Sequence, residues 1–178
     1  MHFSAPDALE RARRIRLMIF DVDGVLTDGR LWYGPEGEAL KAFHSHDGHG
    51  IKLLAAGGVA CAVLSGRRSG AVAARCAELG IAHVLQGIDD KLGAFAELAR
   101  SLAAPFEHCG FMGDELVDLP VLTRCGFACA PREAPGPVLA RVHYVASTPA
   151  GQGAAREVCD FVLQAQGRLD GALREYLK

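Results

Sequence analysis

The stretch IFDVDGVLTDG, residues 19–29, decides how the rest of the chain is interpreted. It includes the end of an apolar run, residues 15–20, and places Asp21 and Asp23 directly after that run. A short run that is apolar throughout is typical of a strand covered on both faces. Gly24 then allows the backbone to turn close to a ligand. The two carboxylates either cap a turn or hold a cation and take part in chemistry.

Composition narrows the class of protein. The 178 residues predict one compact domain, 1–178, and half of them are apolar, which is enough for a sizeable core. The 19 basic and 21 acidic residues nearly cancel, so we expect neither a nucleic-acid partner nor an anionic membrane surface. The six cysteines form no C-x-x-C pair, the N-terminus is charged where a signal peptide is apolar, and no apolar run approaches a membrane span of ~20 residues. We therefore expect a cytoplasmic protein with reduced, buried cysteines.

Short apolar runs alternate with helical patterns along the chain. This alternation predicts an α/β fold with a Rossmann-like parallel sheet and helices on both faces. Strands are predicted at 15–20, 59–64, 82–85, 108–112, 126–129 and 142–145. Helices are predicted at 48–56, 69–79, 91–103, 115–124, 135–141 and 153–166, and the polar tail after residue 166 is expected to be loose.

One stretch, residues 29–44, interrupts the alternation. It has two β-like arms around a Gly-Pro-Glu-Gly turn, so it predicts a β-hairpin flap after the first strand of the sheet. The alternatives are a hairpin folded onto its own domain and a hairpin that contacts a partner. The apolar residues of the hairpin favour a partner surface, and they are Leu31, Trp32, Tyr33 and Phe43.

Polar residues follow the predicted strands at the edge where ligands bind in open parallel sheets. Asp21 and Asp23 follow the first strand and Ser65 ends the second. Lys91 opens the helix after the third strand, and Asp114 follows the fourth, with Glu115 and Asp118 beyond it. Each residue alone has an ordinary structural explanation, but their succession at four strand ends indicates one site.

This set of residues suits phosphoryl transfer. Carboxylates hold hard cations such as Mg²⁺, which takes oxygen ligands. Asp21 could attack phosphorus to form an aspartyl-phosphate, and Asp23 could protonate the leaving oxygen and later activate water. Ser65 and Lys91 could hold the remaining phosphoryl oxygens.

The segments DVDGVLTDG, LSGRRS and GDELVDLP, together with Lys91, resemble the four motifs of the haloacid dehalogenase-like phosphatase superfamily. Three longer segments, LKAFHSHDGHGIKLL, RCAELGIAHVLQGIDDK and AAREVCDFVLQAQGRLD, resemble one family within it, the 3-deoxy-D-manno-octulosonate 8-phosphate phosphatases. The resemblance extends from about residue 15 to about residue 170. It implies a hydrolase of lipopolysaccharide precursor synthesis.

The resemblance also implies roles for individual residues. Asp21 would be nucleophile and metal ligand, Asp23 would be acid/base and bind Mg²⁺ through its carbonyl, and Asp114 would be the third ligand. Predicted substrate contacts include Asp23 and Lys91, together with His44, Ser45, His46, Asp47, Gly48, Lys52, Gly66, Arg67 and Arg75. Family members are capless homotetramers in which the hairpin of one subunit helps to close a neighbour's site.

Several alternatives stay open at this point. The substrate could be a related phosphorylated nine-carbon sugar acid, because Lys52, His46 and Gln152 depart from residues frequent in the family. The chain could be a non-catalytic assembly domain, although Asp21, Asp23, Lys91 and Asp114 are intact. A receiver domain also uses an aspartyl-phosphate, but there the phosphorylated aspartate follows a later strand than the acidic pair. The histidines of HSHDGH could form a zinc site, but no further ligand completes it nearby.

Overall fold

The computed structural model describes residues 3–177. Within that range the chain forms nine strands and eight α-helices, with two short 3₁₀ turns at Phe106–His108 and Leu116–Asp118. The strands are β1 (Phe3–Ser4), β2 (Leu17–Phe20), β3 (Trp32–Gly34), β4 (Gly37–Leu40), β5 (Ala60–Ser65), β6 (His83–Gln86), β7 (Cys109–Met112), β8 (Phe127–Pro131) and β9 (Tyr144–Ala146). The helices are α1 (Ala8–Arg13), α2 (Ser45–Ala56), α3 (Gly70–Leu79), α4 (Lys91–Ser101), α5 (Leu119–Leu122), α6 (Gly136–Leu139), α7 (Ala154–Ala165) and α8 (Leu169–Arg174).

The main sheet has the strand order β1-β9-β8-β7-β2-β5-β6. Six of its strands run parallel, and β1 pairs antiparallel with β9 at one edge. All six parallel strands were predicted from the sequence. Strand β2 lies inside the sheet between β5 and β7, and every residue of it is buried, which explains its unbroken apolar sequence.

Helices cover both faces of the sheet, as predicted. Alternate residues of β2 point to opposite faces, so Met18 and Phe20 pack with α1, α2 and α7, whereas Leu17 and Ile19 pack with α4, α5 and α6. The sheet is therefore held between two apolar layers, and its carboxyl edge is left to polar residues. Among the described residues no helix is long and apolar enough to cross a bilayer.

The predicted hairpin is present as the separate two-stranded sheet β3–β4. Trp32 pairs with Leu40 and Gly34 pairs with Gly37, which has φ +110° at the turn. Phe43 is partly buried and packs against the core of its own chain, as in the alternative of a hairpin folded onto its own domain.

The chain ends contain elements that the sequence did not predict. Strand β1 and helix α1 precede the first predicted strand, and α8 lies in the segment that was expected to be loose. Helix α8 is short, and its Leu169 and Ala172 contact the core beside α7.

Candidate active site

The carboxyl edge of the sheet brings the predicted residues together. Strands β2, β5 and β7 are parallel neighbours, so their ends lie side by side. The N–H of Asp21 donates to the Met112 carbonyl at 3.0 Å, which continues the β2–β7 pairing by one residue and fixes the position of Asp21. Ser65 ends β5, and Lys91 is the first residue of α4.

A buried ion triad occupies the centre of this edge. The Lys91 Nζ lies 2.7 Å from Asp21 Oδ2 and 2.6 Å from Asp118 Oδ1. The three residues are only 5%, 6% and 0% exposed, respectively. Burial by itself would lower the pKa of Lys91, but the charges of Asp21 and Asp118 raise it above its ordinary value. Lys91 is therefore an ammonium group at neutral pH.

Asp118 is a site residue that the sequence prediction noted without assigning a role. Its second oxygen, Oδ2, accepts hydrogen bonds from the N–H groups of Asp114 and Glu115 at 3.0 and 3.1 Å. One carboxylate thus orients Lys91 and also holds the loop that carries Asp114. The sequence signal for this role was the spacing of four residues between Asp114 and Asp118. At that spacing one turn of the chain lets the Asp118 side chain reach back to the N–H of Asp114.

Three carboxylates are close enough to share a cation. Ligand oxygens of Asp21, Asp114 and Asp118 lie within 4.8 Å of one another. Asp114 Oδ1 is buried and has no hydrogen-bond donor. Burial, followed by the neighbouring carboxylates, raises the pKa of Asp114 to about 7, and burial and Asp118 raise that of Asp21 to about 6. A hard divalent cation would supply the missing positive charge, so the donor set fits Mg²⁺.

The side chain of Asp23 lies outside this carboxylate cluster. Its Oδ1 contacts the ammonium of Lys41, and its Oδ2 is 3.7 Å from Arg67 Nε. Lys41 also lies 3.0 Å from Glu38 Oε2, and its side chain is only 1% exposed. The sequence prediction assigned no role to Lys41, since nothing in the local pattern distinguishes it from a solvated lysine after a hairpin.

The loop after β5 places Ser65 and Arg67 beside this centre. The Ser65 hydroxyl is buried and accepts a hydrogen bond from the Arg67 N–H at 3.3 Å. The half-exposed guanidinium of Arg67 donates to the Tyr33 hydroxyl of the hairpin at 3.2 Å. Gly66 lies between these two residues in the chain, and a Cβ at this position would be 3.7 Å from the Ile88 carbonyl oxygen.

The segment that was expected to contact substrate, residues 44–48, starts helix α2. His44 caps the helix by accepting from the His46 N–H at 3.2 Å, and the two rings pack edge to face. The buried carboxylate of Asp47 accepts hydrogen bonds from the N–H groups of Gly153 and Arg156 at 3.2 and 2.8 Å. It therefore caps the start of α7, and the substrate contact of Asp47 stays a prediction.

Among the described residues, no hydrogen bond or ion pair joins the other predicted contacts on α2 and α3 to the carboxylate cluster. Gly48 packs closely against the Arg75 guanidinium, which also pairs with Glu78 at 2.8 Å. Lys52 and Ser45 are exposed or partly exposed on α2 and, among the described residues, show no side-chain hydrogen bond or ion pair. Within residues 3–177, the aspartate cluster is the one group of three or more His, Cys, Asp or Glu side chains close enough to share a metal ion, and no histidine belongs to it.

Comparison with known proteins agrees with this geometry. A scan against models of protein families found no match. The 3-deoxy-D-manno-octulosonate 8-phosphate phosphatase of Salmonella typhimurium is 44% identical over 168 residues, which cover 94% of this chain and 89% of the relative. The chain belongs to the 3-deoxy-D-manno-octulosonate 8-phosphate phosphatase family. This family is part of the haloacid dehalogenase-like superfamily. Membership agrees with the motifs at the strand ends and with a sheet that carries only the small β3–β4 hairpin and no larger inserted domain among the described residues.

Solved structures of the family are also similar. The Moraxella catarrhalis phosphatase, in complex with magnesium, phosphate and KDO, has a TM-score of 0.93 and 37% identity and covers 96% of this chain and 98% of its own. The cobalt-bound Haemophilus influenzae phosphatase has a TM-score of 0.90 and 42% identity and covers 94% and 99%. Those two family members bind divalent cations, which corresponds to the donor chemistry of the aspartate cluster found here.

Proposed function

We propose that this protein is a Mg²⁺-dependent phosphatase that hydrolyses 3-deoxy-D-manno-octulosonate 8-phosphate to the sugar acid and phosphate. The observation that carries the proposal is the buried Asp21–Lys91–Asp118 triad beside the unpaired oxygen of Asp114. This arrangement provides a nucleophile, a fixed cation and a metal-binding oxygen at one point. The substrate follows from family membership.

The reaction has two steps on the residues of this chain. In the first, an Asp21 oxygen bonds to phosphorus, the bond from phosphorus to the sugar oxygen breaks, and Asp23 gives that oxygen a proton. In the second, water attacks phosphorus, Asp23 takes the proton from water, and the bond to Asp21 breaks. Lys91 and the Ser65 hydroxyl hold phosphoryl oxygens as charge shifts between them.

The carboxylates of Asp21 and Asp114 and the main-chain carbonyl of Asp23 would hold Mg²⁺. Asp118, which pairs with Lys91, would add a further negative charge beside the ion. When bound, the ion supplies positive charge that neutralises phosphoryl oxygens during transfer. The protein contributes the fixed positions of these oxygens. Gly24 has no side chain to displace Asp114, since a Cβ there would overlap Asp114 Oδ2.

The sugar acid would lie over the site mouth, where we propose contacts from Gly66, Arg67, His44 and His46. Arg67 is the strongest of these proposed contacts, because its guanidinium is already beside Asp23 and half exposed.

We place the reaction in the cytoplasm. Thiols stay reduced in that compartment, and the six cysteines are all buried and free, namely Cys61, Cys76, Cys109, Cys125, Cys129 and Cys159.

We also propose that the hairpin packs against a neighbouring subunit in a homotetramer. Leu31, Trp32 and Leu40 are 38%, 51% and 52% exposed, whereas Tyr33, although 62% exposed, bonds to Arg67 of its own chain. Three large apolar side chains on and beside one small hairpin form the kind of patch that partner surfaces cover.

Phosphate release with Mg²⁺ across phosphorylated sugar acids tests the proposed activity. The eight-carbon 8-phosphate should be the best substrate, and a chelator should abolish its hydrolysis. Asp21→Asn should lower turnover by about a thousandfold or more, since it removes the nucleophile. Faster hydrolysis of a nine-carbon sugar acid 9-phosphate would show that the alternative sugar acid is the substrate. No hydrolysis of any ester would support a non-catalytic assembly domain.

A further inference from the structure

Lys41 has a buried cationic side chain at the site, and although it lies in the segment LKAFHSHDGHGIKLL, neither the four superfamily motifs nor the predicted contacts include it. It follows β4 directly, and its side chain is 1% exposed even though it comes from a hairpin at the surface. Burying an ammonium is costly unless opposite charges surround it. Here the partners are the carboxylates of Asp23 and Glu38. A hairpin lysine with no task would more readily extend into water.

The inner side of the hairpin is tied to the site by further polar contacts. Glu38 accepts a hydrogen bond from the Ser69 hydroxyl, and the Ser69 N–H donates to Gln86 Oε1 at 2.7 Å. Tyr33 accepts from Arg67 at 3.2 Å. These contacts join β3 and β4 to the loop after β5 and the end of β6, so the position of Lys41 is fixed from several directions.

We propose that Lys41 is a positioning residue that holds the carboxylate of Asp23 in the orientation needed for proton transfer to the leaving oxygen. The inference rests on the proposed function, in which Asp23 is the acid/base. Lys41 contacts Oδ1 and Glu38 braces Lys41, so the Asp23 carboxylate cannot rotate freely about its last bond. The other oxygen, Oδ2, is 3.7 Å from Arg67 Nε and stays available to the substrate.

The leaving group gives a test that simple damage to the fold would not mimic. An alkoxide leaves phosphorus poorly without a proton, so a sugar phosphate needs a well-placed Asp23. Nitrophenolate is a stable anion and leaves without one. The ratio kcat/KM covers the steps up to departure of the leaving group, so it reports this proton transfer separately from hydrolysis of the phosphoenzyme.

The experiment compares 3-deoxy-D-manno-octulosonate 8-phosphate with p-nitrophenyl phosphate in the full-length protein with Mg²⁺. Lys41→Met should lower kcat/KM for the sugar phosphate about 100-fold and for the aryl phosphate less than about tenfold. Lys41→Arg should recover part of the loss. Arg141→Gln removes a positive charge from an exposed position just before β9, at the amino ends of the parallel strands, and should change neither value. Equal losses for both esters in Lys41→Met would overturn the proposal.

A double-mutant cycle tests whether Lys41 acts through Asp23. In an Asp23→Asn background, Lys41→Met should change kcat/KM for the sugar phosphate by less than about threefold, because the group it positions no longer transfers a proton. A full additional loss would contradict positioning.

Glu38→Gln gives a second variant with the same predicted selectivity should Lys41→Met fold poorly. Wild-type protein that hydrolyses neither ester would overturn the proposed function and this inference together, whereas normal selectivity in Lys41→Met and Glu38→Gln would overturn only the inference.

Discussion

At Gly24 the backbone has φ +84° and passes directly against the Asp114 carboxylate. Two requirements therefore fall on one residue, a left-handed backbone and the absence of a side chain. Gly29 has nearly the same backbone, with φ +79°, but a Cβ there would meet its nearest atom only at 3.6 Å. Substitution of Gly29 therefore reports the effect of backbone strain alone, whereas substitution of Gly24 reports backbone strain together with displacement of Asp114.

We predict that Gly24→Ala and Gly29→Ala each lower the free energy of unfolding by about 1–2 kcal/mol, the cost of a left-handed alanine. Only Gly24→Ala should weaken Mg²⁺ binding, by at least about tenfold, because its Cβ displaces Asp114. Thermal unfolding and calorimetric Mg²⁺ titration measure the two effects. Equal Mg²⁺ affinity in both variants would show that Asp114 is not a ligand, or that it moves without consequence.

The sequence could predict the site residues that main-chain topology places, and it missed those that depend on side-chain reach. Asp21 follows β2, Ser65 ends β5 and Lys91 opens the helix after β6, and parallel strands bring such positions together. Lys41 reaches Asp23 through a long flexible side chain from a hairpin, which no periodicity encodes. The capping role of Asp47 was missed for a similar reason, because its carboxylate accepts from N–H groups at the start of α7, which is distant in sequence.

At the scale of elements, helix α7 is attached to the sheet through Glu157. The Glu157 carboxylate accepts hydrogen bonds from the Tyr144 hydroxyl and from the N–H and hydroxyl groups of Ser147 and Thr148. Burial would raise the pKa of Glu157, but the bonds from Thr148 and Ser147 outweigh it and lower the pKa below the ordinary 4.5. The ionised carboxylate therefore stabilises the junction of α7 with β9.

We predict that Glu157→Gln lowers the free energy of unfolding at neutral pH by about 2 kcal/mol or more, since several bonds to a charged acceptor are weakened. The folded pKa is the lower one, so the contribution is present above pH 4.5 and is lost as pH falls through the folded pKa. The difference from wild type should shrink on acidification. Glu97→Gln, on the exposed face of α4, is the matched control, and urea unfolding at several pH values is the measurement. A pH-independent difference would contradict the role of the charge.

The elements that the sequence did not predict are those with little periodicity of their own. Strand β1 has two residues, and it exists because β9 offers it an unpaired edge. Helices α1 and α8 have six residues each and gain their order from packing against α7. Longer elements such as α4 show an apolar stripe that can be recognised in the sequence alone.

For the whole molecule, the hairpin has two chemically different sides. Its polar contacts, through Tyr33, Glu38 and the adjoining Lys41, face the site of its own chain. Trp32 and Leu40, which are cross-strand partners, are about half exposed. One side can therefore hold the hairpin over its own site while the other is covered by a neighbouring subunit.

Substitution of the outward pair tests the proposed assembly without disturbing the inward contacts. Trp32→Ser with Leu40→Ser should weaken association, since a well-packed apolar interface residue contributes about 2 kcal/mol or more. Hydrolysis of the sugar phosphate should then depend on protein concentration, whereas hydrolysis of p-nitrophenyl phosphate should fall far less because Asp21 and Lys91 stay in place. Light scattering and two-substrate kinetics over a dilution series measure both effects.

Two comparisons make this last prediction specific. Leu9→Ser removes a similarly exposed apolar side chain from α1, whose Arg11 contacts the Gly126 carbonyl at the amino end of β8, and should leave association unchanged. Lys41→Met should lower sugar-phosphate hydrolysis at every protein concentration, because its effect lies within one subunit. The outward pair should recover activity as protein concentration rises, because mass action restores the assembly. A wild-type protein that is monomeric at assay concentrations and still selective would show that the apolar side of the hairpin serves no neighbouring subunit.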